Sequence, residues 1–189
     1  MVFTDAPYDI SSEMIKAIVL ILDSFTNKNI FIMLIDSACV ELIRNCKWHL
    51  RSMHFCKISF ALPAGEYFYR RHIPILHFSK GKIDFINTHE GLSSVYDLNK
   101  YRGTSEEAQY NKHAKPVDLP ERFIKSFKCS KVLDLFGGYG STLIASEKQG
   151  KDCFIVEILP RNCDMIIQRY ENFTGEQAEL LAAPEVEHA

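Results

Sequence analysis

The sequence predicts an α/β protein built on an open sheet, and three stretches carry that prediction. Residues 132–145 run from an apolar, β-branched start (Val132, Leu133) through Phe136, Gly137, Gly138, Tyr139 and Gly140 into Ser141 and Thr142, ahead of a helical pattern. Strand, glycine turn and helix N-terminus is the layout of a nucleotide-type cofactor site in such a sheet. Residues 153–157 form a short apolar run ending in Glu157, 17 residues after Gly140. In these folds an acid at that place takes ribose hydroxyls. Residues 30–35 are an unbroken apolar run, the mark of a strand buried on both faces.

The glycine stretch alone is ambiguous. Gly138 and Gly140 lack the third glycine of the dinucleotide fingerprint, because position 143 is leucine. The plain structural reading is a tight turn between a buried strand and a helix. The functional reading is that glycines let the backbone approach a ligand, while N–H groups opening the helix attract a carboxylate or phosphate.

Bulk properties narrow the field. A chain of 189 residues is long enough for one domain with a substantial core. A net charge of −2 gives no global nucleic-acid signature, so any basic contact surface has to be local. The six cysteines are scattered and form no Cys-x-x-Cys pair. They read as free, buried thiols in a reducing compartment, not as a disulfide frame or a zinc site. No metal is predicted. No signal peptide is visible, and the longest apolar run, 17–22, is too short to cross a bilayer. The expectation is a soluble cytoplasmic protein that does not associate with membranes.

Taken in order, residues 1–5 read as a short apolar strand. It ends in Asp5, followed by Ala6, Pro7 and Tyr8. Pro7 fixes its own φ and keeps Ala6 extended, so Asp5 and Tyr8 project from a stiff loop at a strand's C-terminal end. The plain reading is an Asx-Pro turn with an exposed tyrosine. A helix then starts at Ser11, Ser12 and Glu13, with Met14, Ile15, Ile18, Val19, Ile21, Leu22 and Phe25 as its apolar face. Residues 39–47 predict a helix with Val40, Ile43 and Cys46 inward, and strands follow at 53–62 and 73–78.

Charge is uneven in the middle of the chain. Between Arg44 and Lys82 there are eight Lys/Arg and one acid, Glu66. Tyr67, Phe68 and Tyr69 stand beside Arg70 and Arg71, and aromatics interleaved with arginine suit stacking on bases and contact with phosphates. The plain reading is a solvated basic edge with its aromatics packed inward. Residues 80–111 form a polar segment with one short strand at 94–98. A helix over 117–127 buries Leu119, Phe123, Ile124 and Phe127. The glycine-turn helix spans 141–149 and stops at Gly150, and a last helix opens at Pro160 and runs to about Phe173. The domain is expected to span 1–176, with 177–189 an acidic, loosely structured tail.

These motifs, in this order, resemble the β-class amino-methyltransferases that act on DNA. Asp5, Ala6, Pro7 and Tyr8 match the family's Asp-Pro-Pro-Tyr tetrapeptide with one change. The run from Val132 to Thr142 matches its Asp-x-Phe-x-Gly-x-Gly cofactor loop. His113, Ala114, Lys115 and Pro116, followed by an amphipathic helix, are similar to the motif that precedes that loop. The run from Tyr69 to Leu76 is similar to the family's Arg-x-His-Glu-Pro strand. The resemblance implies a Rossmann-like sheet with permuted motif order, the catalytic motif first and the cofactor motif late. It implies S-adenosylmethionine as methyl donor and DNA as substrate. Lys115, Asp134, Phe136, Gly138, Gly140 and Glu157 map onto the donor site. Asp5, Ala6, Pro7 and Tyr8 map onto the catalytic loop, and Arg70 and Arg71 are the candidates for DNA contact.

The residue types fit the chemistry. An exocyclic amine is a poor nucleophile because its lone pair is delocalised into the ring. A carboxylate (Asp5) and a backbone carbonyl (Ala6) can each accept one N–H bond, localising that lone pair by orientation and electrostatics. The target base has to leave the duplex, and Tyr8 would stack on it. Aspartate at the first position implies adenine-N6 methylation, by family resemblance. Three departures from the pattern bear on rate and completeness. Ala6 replaces a proline, Tyr139 stands where the family has a small residue, and the match begins at the catalytic strand, so the chain reads as N-terminally short. Alternative readings are cytosine-N4 methylation and a truncated, non-catalytic relative that binds donor or DNA weakly. A nicotinamide-dependent oxidoreductase is disfavoured by the absent third glycine. A homodimer or a partner chain is left open.

Overall fold

The computed structural model describes residues 1–25, 29–63, 69–86, 93–98 and 114–181, with 59–63 described by backbone alone. In chain order the elements are β1 (Val2–Asp5), α1 (Ser12–Ser24), β2 (Asn29–Met33), α2 (Asp36–Asn45), β3 (His49–Pro63) and β4 (Tyr69–Ser79). They continue with β5 (Val95–Asp97), α3 (Asp118–Ile124), β6 (Lys131–Asp134), α4 (Ser141–Lys148), β7 (Asp152–Ile155) and α5 (Pro160–Thr174). The strands form one seven-stranded sheet in the order β5-β3-β4-β2-β1-β6-β7.

Alternation along the central strands divides the core. On β2, Ile30 and Ile32 face one side, where α1 and α2 pack with Ile15, Ile18, Leu22 and Leu42. Phe31 and Met33 face the other, against Leu119 and Phe123 of α3 and Ile144 of α4. Ile30, Phe31, Ile32 and Met33 of β2 are buried, as the continuous apolar run predicts. On β4, buried His77 is the register partner of Phe31 and stacks on it at 4.2 Å between ring centroids. Its ring nitrogens meet Asn29 at 3.1 Å and Ser52 at 3.4 Å.

Strands β1, β2, β6 and β7 run parallel, and β4 is antiparallel to both β2 and β3. From β1 the chain crosses through α1 to β2 on one side; from β6 it crosses through α4 to β7 on the other. The adjacent pair β1/β6 is therefore the point where strand order reverses, the place where open α/β sheets bind ligands beyond their strand ends.

Some expectations need correction. Met14, Ile21 and Phe25 are exposed, because the inward stripe of α1 is Ile15, Ile18, Val19 and Leu22. Helix α2 begins at Asp36, and its buried residues are Ala38, Cys39 and Leu42. Val40 and Ile43 face outward, and Cys46 is the half-buried C-cap. Apolar residues occupy both faces of that segment, so periodicity alone chose the wrong one. All six cysteines are free, but only Cys39 and Cys56 are buried. No helix among the described residues is long and apolar enough to cross a membrane. His113, Glu66, Tyr67, Phe68 and most of 80–111 lie outside the described residues.

Candidate active site

Asp5 ends β1 and Asp134 ends β6, so both carboxylates emerge at the same edge of the sheet. One cleft is lined from both sides: Asp5, Phe3 and Met33 on one, Asp134, Phe136 and Gly138 on the other, with Lys115 between. The Lys115 ammonium lies 2.6 Å from Oδ2 of Asp5 and 5.6 Å from the centroid of the Tyr8 ring. Burial works against that ammonium, but the Asp5 carboxylate and Tyr8 outweigh it and raise its pKa above the ordinary lysine value. Oδ1 of Asp5 is buried and has no hydrogen-bond partner among the described residues. The carbonyl of Lys115 accepts a 2.5 Å bond from the Ser141 hydroxyl, which fixes this segment against the start of α4.

The glycine turn is tightly constrained. A Cβ on Gly137 would sit 2.2 Å from Cγ2 of Ile155, so the adjoining strand leaves no room for a side chain. Gly138 and Gly140 have φ of 53° and 74°, the left-handed region that favours glycine. The Gly138 N–H donates to Oε2 of Glu157 at 2.7 Å. Oε1 of the same carboxylate accepts from the N–H groups of Ile158 and Leu159, both at 2.9 Å. The anion received by this turn is thus the chain's own acid, placed where the sequence puts it. Arg169 of α5 donates to the Tyr139 carbonyl at 2.8 Å and holds the outer side of the turn.

Asp134 is 3% exposed. Burial pushes its carboxyl up to about 7, against the opposing bonds from Thr142, Thr4 and the Phe136 N–H. Two carboxylates, one lysine and an aromatic ring thus surround a cleft at the strand-order reversal.

A family profile described as DNA methylase, of the N6/N4 type, matches residues 16–168. The chain belongs to the N6/N4 DNA methylase family. It is a DNA methyltransferase by family, and its fold has counterparts among solved structures. The M1.HpyAVI–SAM complex is 15% identical, with a TM-score of 0.67, over 89% of this chain and 87% of that one. TTHA0409 of Thermus thermophilus, a putative DNA modification methylase complexed with S-adenosyl-L-methionine, is 18% identical, with a TM-score of 0.63, over 96% and 90%. PvuII DNA methyltransferase, described as cytosine-N4-specific, is 14% identical, with a TM-score of 0.64, over 93% and 86%. A comparison with functionally curated proteins gives no match.

Within this DNA methylase the sequence-derived candidates separate into groups. Asp5, Lys115, Asp134, Phe136 and Gly138 line one cleft. Glu157 joins them through Gly138. Gly140 caps α4 and packs against Ile166. Ala6 is buried, and its N–H bonds to the Met33 carbonyl at 3.1 Å, which tethers the loop where the family pattern has a stiffening proline. The Pro7 carbonyl accepts from Ile10 at 3.3 Å. Tyr8 is 41% exposed at the cleft's rim.

Arg70 and Arg71 are not brought together. They point to opposite faces of β4, as neighbours on a strand do. Arg71 is exposed, whereas Arg70 is largely enclosed and pairs with Asp36 at 3.3 Å. Sequence reasoning missed Thr4 and Ser141. Ser141 carries a visible signal as a hydroxyl at the first position of α4, but Thr4 reads as one more β-branched strand residue.

Proposed function

We propose that this DNA methylase transfers a methyl group from S-adenosylmethionine to the N6 amine of adenine in DNA, with its catalytic strand first in the chain and its donor strand late. The observation that carries the reading is the meeting of Asp5 and the glycine turn across one cleft. The relatives complexed with S-adenosyl-L-methionine support the choice of donor.

The residues present suit that donor. Gly138 presents bare backbone, Glu157 sits beside it with a carboxylate able to take ribose hydroxyls, and Phe136 and Asp134 line the wall. Phe136, Gly138, Gly140, Asp134 and Glu157 would hold the donor, with Lys115 nearby. When bound, S-adenosylmethionine supplies an electrophilic sulfonium methyl, so this chain's part is placement and electrostatics. The buried Oδ1 of Asp5, unpartnered among the described residues, is an acceptor suited to an N–H donor. Asp5 and the Ala6 carbonyl accept the two N–H bonds of the exocyclic amine, localise its lone pair and aim it across the cleft toward the glycine turn. Tyr8, at the rim, stacks on the extruded base.

Tritiated methyl transfer to mixed-sequence DNA, followed by nucleoside analysis, tests the reading. The expected product is N6-methyldeoxyadenosine. N4-methyldeoxycytidine would instead establish the second reading, which the likeness to PvuII DNA methyltransferase keeps in view. Absence of label in DNA would contradict both.

A further inference from the structure

Asp5 and the glycine turn belong to different strands, and something has to fix the gap between them. The register between β1 and β6 is a single pair, Val2 with Leu133. The Leu133 N–H donates to the Met1 carbonyl at 2.9 Å. A continuing parallel ladder would send the Leu135 N–H to the Phe3 carbonyl. It goes instead to the side chain of Thr4, at 3.1 Å. The same hydroxyl donates to Oδ1 of Asp134 at 2.7 Å, and that oxygen also accepts the Phe136 N–H at 3.1 Å. Thr4 is fully buried.

We infer that Thr4 is a positioning residue: its hydroxyl takes over where the β1/β6 ladder stops and sets the distance between the catalytic loop and the donor turn. The inference rests on the proposed methyl transfer and deepens it. The geometry has two consequences. The strands part at the point where the cleft opens, because a side chain has replaced a backbone carbonyl in the bonding. And Asp5, the next residue after Thr4, is referred directly to Asp134 and Phe136 across the cleft. Thr4 touches neither base nor donor. Its effect is on the alignment of the amine with the methyl group, where displacement by an ångström is enough to slow transfer.

The test compares Thr4→Val, which keeps shape and removes the hydroxyl, with Thr4→Ser, which keeps the hydroxyl. T4V is expected to lower kcat by roughly 10- to 100-fold, while donor and DNA dissociation constants stay within about threefold of the parent. T4S is expected to restore kcat to within about threefold. A second readout does not depend on turnover. Carboxyl NMR titration should show the Asp134 pKa higher in T4V than in the parent or T4S, because one bond to the carboxylate is gone. If T4V does not fold, Thr4→Cys, with a weaker donor of similar size, takes its place in both measurements. An unchanged kcat in T4V, a T4S as slow as T4V, or an Asp134 titration indifferent to residue 4 would overturn the inference. A parent enzyme that labels no DNA would sink the methyl-transfer reading, while the NMR titration would still decide the Thr4 contact.

Discussion

At the residue scale, Asp134 is enclosed between β1 and the glycine turn, and burial raises its carboxyl from 3.8 to about 7. A group whose folded pKa lies above its unfolded value contributes stability that is full below the unfolded value and is lost as pH rises through the folded one. Asp134 therefore favours the fold at about pH 4 and costs stability as pH approaches 7. His77 acts the other way. Burial lowers its pKa from 6.5 to about 4, so its contribution is present above 6.5 and lost as pH falls through 4. The two windows overlap with opposite sign, so the parent's curve partly conceals each. Urea unfolding of Asp134→Asn and His77→Gln against the parent, across this range, separates them. The stability of D134N relative to the parent should rise with pH, and that of H77Q relative to the parent should rise as pH falls. Parallel curves would show that neither group titrates differently on folding.

Removal of the Lys115 charge tests the pair at the cleft's centre. Lys115→Met leaves Asp5 without its 2.6 Å partner in a partly buried setting. It should cost about 2 kcal/mol of stability at neutral pH, as expected when one member of such a pair is deleted. Asp5→Asn with Lys115→Met together should cost less than the sum of the single changes. Full additivity in a urea double-mutant cycle would mean that the contact carries no coupling.

At the element scale, the β3–β4 hairpin extends past the sheet edge that holds the cleft. Met33, which ends β2, pairs with Ile75, so Tyr69, Arg70, Arg71 and His72 lie beyond it. Arg70 and His72 share a face and meet Asp36 at 3.3 and 3.5 Å, clasping the hairpin to the start of α2. Arg71 and the exposed Tyr69 face the other way. Arg71→Ala should weaken DNA binding and reduce the slope of log affinity against log salt by about 1, as expected for one lost phosphate contact. Arg70→Ala should leave that slope unchanged. Equal slopes in parent and R71A would remove Arg71 from the DNA face. The sequence revealed the basic hairpin but not its division, because strand alternation and the distant Asp36 decide which arginine is exposed. The inward face of α2 was hidden for a related reason. With apolar residues all round, Ala38 and Leu42 are selected only by the sheet they meet.

At the scale of the whole molecule, the elements that build the site follow from patterns that are local and readable. A doubly buried β2, a glycine turn after β6 and an acid after β7 each announce themselves within a dozen residues. Their convergence is not local. Thr4 meets Asp134, and Lys115 meets Asp5, across more than a hundred residues of chain. Family resemblance bridged that gap for Asp5, Lys115 and the turn, since their order along the chain was itself informative. It could not reveal Thr4, whose role arises from where two strands stop pairing. Net charge is likewise a poor guide here. The molecule is slightly acidic overall, yet the stretch from Arg44 to Lys82 holds eight Lys/Arg and one acid, so DNA contact has to be a local affair.

In the proposed mechanism Asp5 serves the amine while the glycine turn serves the donor, within one cleft. Measuring methyl transfer and donor affinity side by side for the parent and Asp5→Ala tests it most directly. Transfer is expected to be abolished while calorimetric affinity for S-adenosylmethionine stays within about threefold. Loss of donor affinity in step with loss of transfer, or transfer that persists without the carboxylate, would contradict it.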